Sequence, residues 1–304
     1  MVNPVTSGDV TELNAIGWTL GSSAAPNPPP APAPIVPPPG AVAIAAVTAS
    51  LATAQGGSRL TANTALATLK AVGGVAGDPI VYQLSGTGAG SFKLTANANN
   101  TATLSAGPAG VSGQSNGAAY ALTLRATDMS TGLSSTSSTF DVVVGGNNGD
   151  VVAIATLVGA ASKAAPTFIY GLTGNDTLNA TGMTGKLWFD GGAGADIMTG
   201  GSGPNAYLYG AASDSTASAM DVIVNFTTNK DFIDLTGIGS TPLTFAGQVI
   251  GNKLTAGTIG FQTSGGNTYV YVNTSGTAES LTATNMKIDL KGSLVIGANN
   301  VLHN

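Results

Sequence analysis

Three glycine-rich units decide the fold of this chain: Gly171-Leu-Thr-Gly174-Asn-Asp176-Thr-Leu178-Asn179, Gly191-Gly192-Ala-Gly194-Ala-Asp196-Ile-Met198-Thr199 and Gly200-Gly201-Ser-Gly203-Pro-Asn205. Glycine lacks a Cβ atom, so each unit can turn tightly through positive φ angles. Such a turn points backbone carbonyl oxygens inward, and the aspartate adds a carboxylate. The apolar eighth residue of the first two units starts a short strand that faces a core. The pattern therefore predicts stacked turns that join short strands.

The spacing of these units resembles G-G-x-G-x-D-x-U-x, the calcium-binding repeat of RTX proteins. The resemblance implies a parallel β-roll whose turns hold Ca²⁺, a cation that takes six to eight oxygen ligands. The expected ligands are four side chains and the carbonyl groups near six glycines: Asp176, Asp190, Asp196, Asn205, Gly171, Gly174, Gly192, Gly194, Gly201 and Gly203. The alternative is a cluster of Gly, Asn and Asp turns that joins ordinary strands without a metal.

The units depart from the template at three places. Leu172 stands where a second glycine is expected, and Asn205 replaces the aspartate of the third unit. Residues 180–190 do not fit the template, although Lys186 to Phe189 is patterned as a strand and Asp190 could still face a turn. Fewer carboxylates predict weaker binding and leave the number of bound ions open.

A second motif follows the repeats. Residues 221–235 read Asp-Val-Ile-Val-Asn-Phe-Thr-Thr-Asn-Lys-Asp-Phe-Ile-Asp-Leu. This resembles the D-x-I-x-(D/N)-F … D-x-I-D-L signature in the C-terminal domain of serralysin-type secreted metalloproteases. Residues 267–276 and 286–292 fall where that family has a strand pair and an I-x-L-x-G segment. The resemblance covers about the last half of the chain and implies a calcium-filled β-roll that merges into a β-sandwich, on proteins exported by type I secretion.

The amino-acid composition excludes several classes of protein. Only 8% of the 304 residues are charged, 43 are glycine and none is cysteine, which suits β-structure with many turns and rules out disulfides. The formal net charge is −5 without a basic cluster, so nucleic acid is not expected as a partner. No apolar run is long enough to predict a transmembrane segment. Met1 to Gly8 lacks the basic and apolar regions of a Sec signal.

A catalytic set is missing from the sequence. Its only histidine is His303, so a zinc H-E-x-x-H motif and a cysteine–histidine pair are excluded. Asp231 and Asp234 could do acid–base work in principle, but they belong to the family signature. We therefore expect no enzyme activity in this chain, and a buried structural role for Trp188.

The N-terminal residues predict two short segments. Residues 1–25 include a short helix at 9–20, and Glu12 to Trp18 resembles the tail that closes the catalytic domain of some bacterial secreted zinc metalloproteases. An arbitrary amphipathic turn is the alternative. Residues 26–40 carry nine of the 15 prolines and predict an extended linker of roughly 40 Å.

Residues 41–146 predict a Greek-key β-sandwich of the cadherin or Ig type. Seven strand-like segments carry this prediction: 41–49, 60–72, 80–84, 91–94, 101–104, 119–127 and 139–144. Residues 120–128 and 138–144 resemble the last two strands of a cadherin-like domain, and Asp128 matches a calcium position of that family. Its acidic partners are missing, so we expect Asp128 to be a turn residue.

The sequence therefore predicts an all-β chain, a cadherin-like sandwich at 41–146 followed by a short parallel β-roll merging into a sandwich at 150–304. The predicted role is a non-catalytic, calcium-binding C-terminal region of a secreted or cell-surface bacterial protein. Its partners would be Ca²⁺ and the type I secretion apparatus, read through a signal near Lys287 to Asn304. One alternative is a surface-layer or adhesin segment that self-associates. Another is the tail of a secreted zinc metalloprotease or polysaccharide hydrolase whose catalytic domain lies upstream.

Overall fold

The structure is a computed structural model that describes residues 40–49, 55–56, 59–75, 77–114, 116–137, 139–146, 148–239 and 242–303. The segment 1–25, with its predicted helix, lies outside the described residues, as does the predicted linker apart from Gly40. Within the described part the chain is built almost entirely of strands and turns, which confirms the predicted all-β class. No helix there has the length and apolar character needed to cross a bilayer.

The first half of the described chain consists of short strands that are mostly antiparallel. Apolar and polar residues alternate along these segments, which gives many strands one buried face. They are β1 (Gly40–Ala49), β2 (Gln55–Gly56), β3 (Arg59–Leu60), β4 (Ala65–Gly74), β5 (Ile80–Gly86), β6 (Phe92–Asn97), β7 (Thr101–Ala106), β8 (Val111–Ser112), β9 (Ala118–Asp128), β10 (Ser134–Thr136) and β11 (Phe140–Val144). Each of the seven predicted segments contains a strand, and the cadherin likeness stays a prediction.

Two sheets meet in this half. Sheet I has the order β1-β4-β7-β6, and sheet II contains β10, β9 and β11, with β5 paired to β9. Leu66, Leu69 and Leu104 of sheet I share one apolar core with Leu122 and Val142 of sheet II. The described residues, from Gly40 onward, form one compact unit.

Beyond β11 the chain alternates between sheet II and a third sheet, sheet III. Strands β12 (Val151–Ala153), β14 (Thr177–Asn179), β16 (Ile197–Thr199) and β18 (Asp221–Val224) lie in sheet III, and strands β13 (Thr167–Tyr170), β15 (Leu187–Asp190), β17 (Asn205–Leu208) and β19 (Phe232–Asp234) lie in sheet II. Neighbours in each of these rows pair in parallel. This is the predicted parallel β-roll. Sheet II runs on from the first half because β11 pairs in parallel with β13.

Five of the C-terminal strands extend sheets II and III. The C-terminal strands are β20 (Thr244–Gln248), β21 (Lys253–Leu254), β22 (Thr258–Ser264), β23 (Asn267–Asn273), β24 (Glu279–Ser280), β25 (Met286–Leu290) and β26 (Val301–Leu302). Sheet III continues in the order β18-β25-β23-β22-β20, β26 pairs with β19 in sheet II, and β21 and β24 pair with each other in a separate two-stranded sheet. Residues 267–276, where a strand pair is expected, contain the single strand β23, which pairs antiparallel with β22 and with β25, the strand of the I-x-L-x-G segment.

Sheet II is covered on both faces. The roll core between sheets II and III takes the inward residues of the short strands: Val152, Leu178, Met198 and Ile223 from sheet III, and Ile169, Phe189, Tyr207 and Ile233 from sheet II. Residues on the other face of sheet II, among them Phe168, Tyr170 and Trp188, pack into the core shared with sheet I. Trp188 stacks on Phe168 with ring centroids 4.6 Å apart, which agrees with the structural role expected for it.

One predicted strand is shorter than expected. The sequence suggests a strand from Val151 to Val158, but strand β12 ends at Ala153 and a helical turn, α1 (Ile154–Leu157), follows. The backbone N–H of Val158 donates to the carbonyl oxygen of Ile154 at 3.1 Å, while the Ile154 side chain is fully buried. The periodicity of a continuous apolar run does not distinguish a strand from a helical turn. Short 3₁₀ turns lie at Ala89–Ser91, Ala160–Ser162, Ala212–Asp214 and Ala298–Asn300.

Candidate metal centre

The turns of the roll fall on two edges. On the first edge, the chain passes from sheet II to sheet III through residues 145–150, 171–176, 191–196 and 209–220. On the second edge, it returns to sheet II through residues 180–186, 200–204 and 225–231. The first two glycine-rich units therefore lie on the first edge, and the third lies on the second edge.

Four aspartates form a row along the first edge. Asp150, Asp176 and Asp196 each precede a strand of sheet III, and Asp221 opens the next strand. Oδ1 of Asp176, of Asp196 and of Asp221 accepts a hydrogen bond from the backbone N–H of the preceding aspartate in the row, at 2.7, 2.8 and 2.8 Å respectively. All four side chains are buried. Because the strands are parallel and adjacent, they hold these carboxylates side by side along the edge.

The second oxygen of two of these carboxylates has no partner. Oδ2 of Asp176 and of Asp196 is buried and makes no hydrogen bond, whereas the Asp221 carboxylate faces the buried hydroxyl group of Tyr209. A Cβ atom at Gly191 would lie 2.3 Å from Oδ2 of Asp196, so only glycine leaves room for that oxygen. A buried, unpaired carboxylate oxygen is strongly unfavourable without a cation or a donor. The donor set therefore fits a hard cation such as Ca²⁺.

Burial changes the protonation of the row. Burial, followed by the charge of Asp150, raises the pKa of Asp176 from 3.8 to about 6. Burial and the neighbouring carboxylates raise the pKa of Asp196 to about 7 and hold that of Asp221 well above its usual range. Desolvation and like charge both disfavour the ionised form. A bound cation would favour the ionised carboxylates and so would lower their pKa values.

The predicted glycines of the first edge lie in stacked turns. The backbone N–H of Gly174 donates to the carbonyl oxygen of Ala193 at 2.9 Å, and the N–H of Ala193 donates to that of Leu172 at 3.0 Å. Leu172 adopts a φ of +82°, close to the +90° of Gly192, and its side chain is fully buried. The backbone at the second glycine position of the repeat is therefore left-handed in both units, although the first unit carries leucine there.

The structure separates Asp190 from the other predicted ligands. Asp190 ends β15, where it pairs with Tyr170, and the adjacent Phe189 points into the roll core. Side chains alternate along a strand, so Asp190 points to the opposite face of sheet II. There burial, followed by the charge of Asp190, raises the pKa of Tyr170. The sequence placed Asp190 next to a turn but did not indicate which face of the strand it would take.

Asn205 also lies apart from the aspartate row, on the second edge with Gly201 and Gly203. Its side-chain Nδ2 donates to the carbonyl oxygens of both glycines, at 3.3 and 3.1 Å. The two carbonyl groups face a nitrogen that carries hydrogens, which is a donor and not a metal ligand.

Sequence reasoning missed Asp150 and Asp221 as members of the row. The signal was available, since aspartate precedes an apolar residue by two positions at Asp150–Val152 and Asp221–Ile223 as it does in the two clear repeats. Among the described residues no three carboxylate or imidazole side chains converge as a metal cluster. A cation at the first edge would therefore also need backbone carbonyl ligands.

Asp128, in the first half, is a turn residue as expected. Its carboxylate accepts hydrogen bonds from the backbone N–H groups of Val75, Ser130 and Thr131 and from the Ser130 hydroxyl. These bonds, the one from Val75 first, hold its pKa well below the usual range. Both oxygens are used by the turn.

Comparison with known proteins matches the chain to a family and to a number of solved structures, two of which are subunits of one enzyme. The model of the family described as Peptidase M10 serralysin C terminal matches residues 137–302, more than half of the chain. The solution structure of the AlgE6R3 subunit from the Azotobacter vinelandii mannuronan C5-epimerase is 22% identical, with 51% of this chain and 78% of that chain covered and a TM-score of 0.36. The solution structure of the AlgE6R2 subunit from the same epimerase is 26% identical, with 45% of this chain and 80% of that chain covered and a TM-score of 0.31. No curated protein matches the chain.

Proposed function

The chain belongs to the family described as Peptidase M10 serralysin C terminal, and from this premise we propose that residues 150–304 form a calcium-binding β-roll domain of an exported bacterial protein. The observation that carries the proposal is that the buried Oδ2 atoms of Asp176 and Asp196 make no hydrogen bond, in a row that continues with the buried carboxylate of Asp221. Ca²⁺ prefers hard oxygen ligands and would neutralise carboxylates that the fold brings together. The carbonyl groups of the stacked turns near Gly171, Gly174, Gly192 and Gly194 would add ligands.

The proposed role is calcium-coupled folding. Strands of three to four residues bury little apolar surface, and glycine-rich turns lose much conformational freedom on folding. A cation that binds only the folded form stabilises it by RT ln(1 + [L]/Kd). With a Kd of about 10⁻⁴–10⁻³ M, as in extracellular modules, the domain would be loose inside the cell and ordered outside.

Type I export is the second part of the proposal and rests on the family. The expected signal, near residues 287–304, overlaps strands β25 and β26, where Ile288 and Leu290 are fully buried. Deleting this segment would unfold the domain as well as remove the signal. Fusing residues 287–304 to a folded reporter, in cells with a matching transporter, tests the signal alone. A reporter that stays inside these cells would refute this part.

We propose that the domain itself is non-catalytic, since a single histidine and no cysteine provide neither a zinc H-E-x-x-H motif nor a cysteine–histidine pair. A parent protein with an upstream zinc protease or polysaccharide hydrolase domain is consistent with this role. A purified chain that hydrolysed casein in the presence of zinc would contradict it.

Calcium titration of the full chain tests the proposed site. Isothermal titration calorimetry should show saturable binding, and thermal unfolding should shift upward in Ca²⁺ relative to a chelator. The variant Asp196→Asn should lose binding because it removes a charge at the centre of the row. Asp78→Asn, in the first half, is the matched control and should bind as the wild type does. Identical unfolding of the wild type in Ca²⁺ and in chelator would reject the proposal.

A further inference from the structure

The third glycine-rich unit has the glycine spacing of the second unit but carries asparagine where the second carries aspartate. Gly201 and Gly203 precede Asn205 by the spacing with which Gly192 and Gly194 precede Asp196. The backbone N–H of Asn205 donates to Oδ1 of Asp231 at 2.8 Å, as that of Asp176 donates to Oδ1 of Asp196 at 2.8 Å. Asn205 therefore occupies the position that aspartate holds on the first edge.

Three oxygens converge on the side-chain nitrogen of Asn205. Nδ2 lies 3.3 Å from the carbonyl oxygen of Gly201, 3.1 Å from that of Gly203 and 3.0 Å from Oδ1 of Asp231. Oδ1 of Asn205 accepts from the N–H of Gly201 at 3.0 Å. This network fixes the orientation of the Asn205 amide, because the flipped amide would place its Oδ1 beside the carbonyl oxygens of Gly201 and Gly203 and Oδ1 of Asp231.

The network leaves no carboxylate oxygen unpaired on this edge. Oδ2 of Asp231 accepts from the backbone N–H of Thr227 at 2.8 Å. The Lys230 ammonium group donates to the carbonyl oxygen of Ser202, in the same turn. Burial raises the pKa of Asp231, and the hydrogen bonds from Thr227 and Asn205, followed by the charge of Lys230, oppose this rise. The contrast is with Asp196, whose Oδ2 has no donor.

We infer that the amide group of Asn205 takes the place of the cation in this turn, so that the second edge of the roll is closed without metal. The N–H groups of the amide supply the positive ends of dipoles that two carbonyl groups and one carboxylate require. An aspartate at position 205 would present a fourth oxygen to the same three and would need a divalent cation. The inference rests on the proposed function only in taking that cation to be Ca²⁺.

Three variants of the full chain test the inference by calcium stoichiometry and by thermal unfolding in excess chelator. Asn205→Asp should bind one more Ca²⁺ per chain than the wild type and unfold at a lower temperature in chelator, with recovery in Ca²⁺. Asn252→Asp, which adds the same charge at an exposed position, should match the wild type in both measurements. Unchanged stoichiometry and unchanged unfolding of Asn205→Asp would overturn the inference.

Asn205→Ala decides between an amide that replaces a cation and an amide that binds one. If the amide replaces the cation, the alanine variant loses stability equally in chelator and in Ca²⁺, and its calcium stoichiometry stays that of the wild type. A stoichiometry lower by one would identify Asn205 as a ligand and overturn the inference, even if Asn205→Asp fails to fold. A wild type that binds no Ca²⁺ would reject the proposed function alone, because extra binding by Asn205→Asp would still support the inference.

Discussion

The hydroxyl group of Tyr170, on strand β13 of the roll, donates a 3.2 Å hydrogen bond to the backbone carbonyl oxygen of Leu66, on strand β4 of sheet I. Both residues lie in the apolar core that sheet I shares with the outer face of sheet II. The predicted sandwich and the roll therefore depend on one core. The incomplete acidic set around Asp128 predicts that residues 41–146 do not respond to calcium, whereas the shared core gives a physical reason to expect a response.

Tyr170→Phe should lower the free energy of unfolding by about 1 kcal/mol, because it removes one buried hydrogen bond and keeps the ring. Urea unfolding measures this, and probes in the two halves should report one common transition. Tyr269→Phe is the control, since its ring stays under the Lys287 ammonium group, 4.2 Å from its centroid. Separate transitions for the two halves would contradict a shared core.

Gly191→Ala should destabilise the roll by about 1–3 kcal/mol, since its Cβ atom would lie 2.3 Å from Oδ2 of Asp196. The collision also displaces a proposed ligand, so we expect weaker calcium binding by calorimetry. Gly276→Ala is the matched control, because nothing lies within 4 Å of a Cβ atom there. Equal calcium affinity of the two variants would remove Asp196 from the proposed site.

Much of the fold could be predicted because each strand carries its own signal. An aspartate that precedes an apolar residue by two positions introduces strands β12, β14, β16 and β18, and the middle residues Leu178 and Met198 face the core as expected. The orientation of Asp190 could not be predicted, since the strand boundary decides the face, and a shift of one residue reverses it. The role of Asn205 depends on where its amide nitrogen points, which spacing alone does not encode.

Asp141, on strand β11, should make stability fall as the pH rises from about 4 to about 6. Burial raises its pKa from 3.8 to about 6, a hydrogen bond from Ser162 opposes this, and Oδ2 has no partner. A raised pKa in the folded state means that the folded chain holds the proton after the unfolded chain has lost it. The contribution of Asp141 is therefore favourable below its unfolded pKa and is lost by about pH 6.

Asp141→Asn tests this dependence. Urea midpoints of the variant and the wild type should be similar near pH 4 and should differ near pH 7, where the variant is the more stable. The aspartate row titrates in both proteins, so the difference between their urea midpoints reports the titration of Asp141 alone. A wild type more stable than the variant at pH 7 would show that the Asp141 carboxylate has a partner that favours its charge.

Leu172→Gly restores the residue of the repeat template and should nevertheless destabilise the chain. At a φ of +82° leucine is strained by about 1–2 kcal/mol relative to glycine. Its side chain is fully buried in the core shared with sheet I, where removing a leucine side chain costs about 2–5 kcal/mol. The larger effect wins, so we expect a net loss of about 1–3 kcal/mol in urea unfolding at constant calcium. Leu172→Ala keeps the backbone strain and should be less stable than Leu172→Gly, whereas the opposite order would show that the positive φ angle carries little strain at this turn.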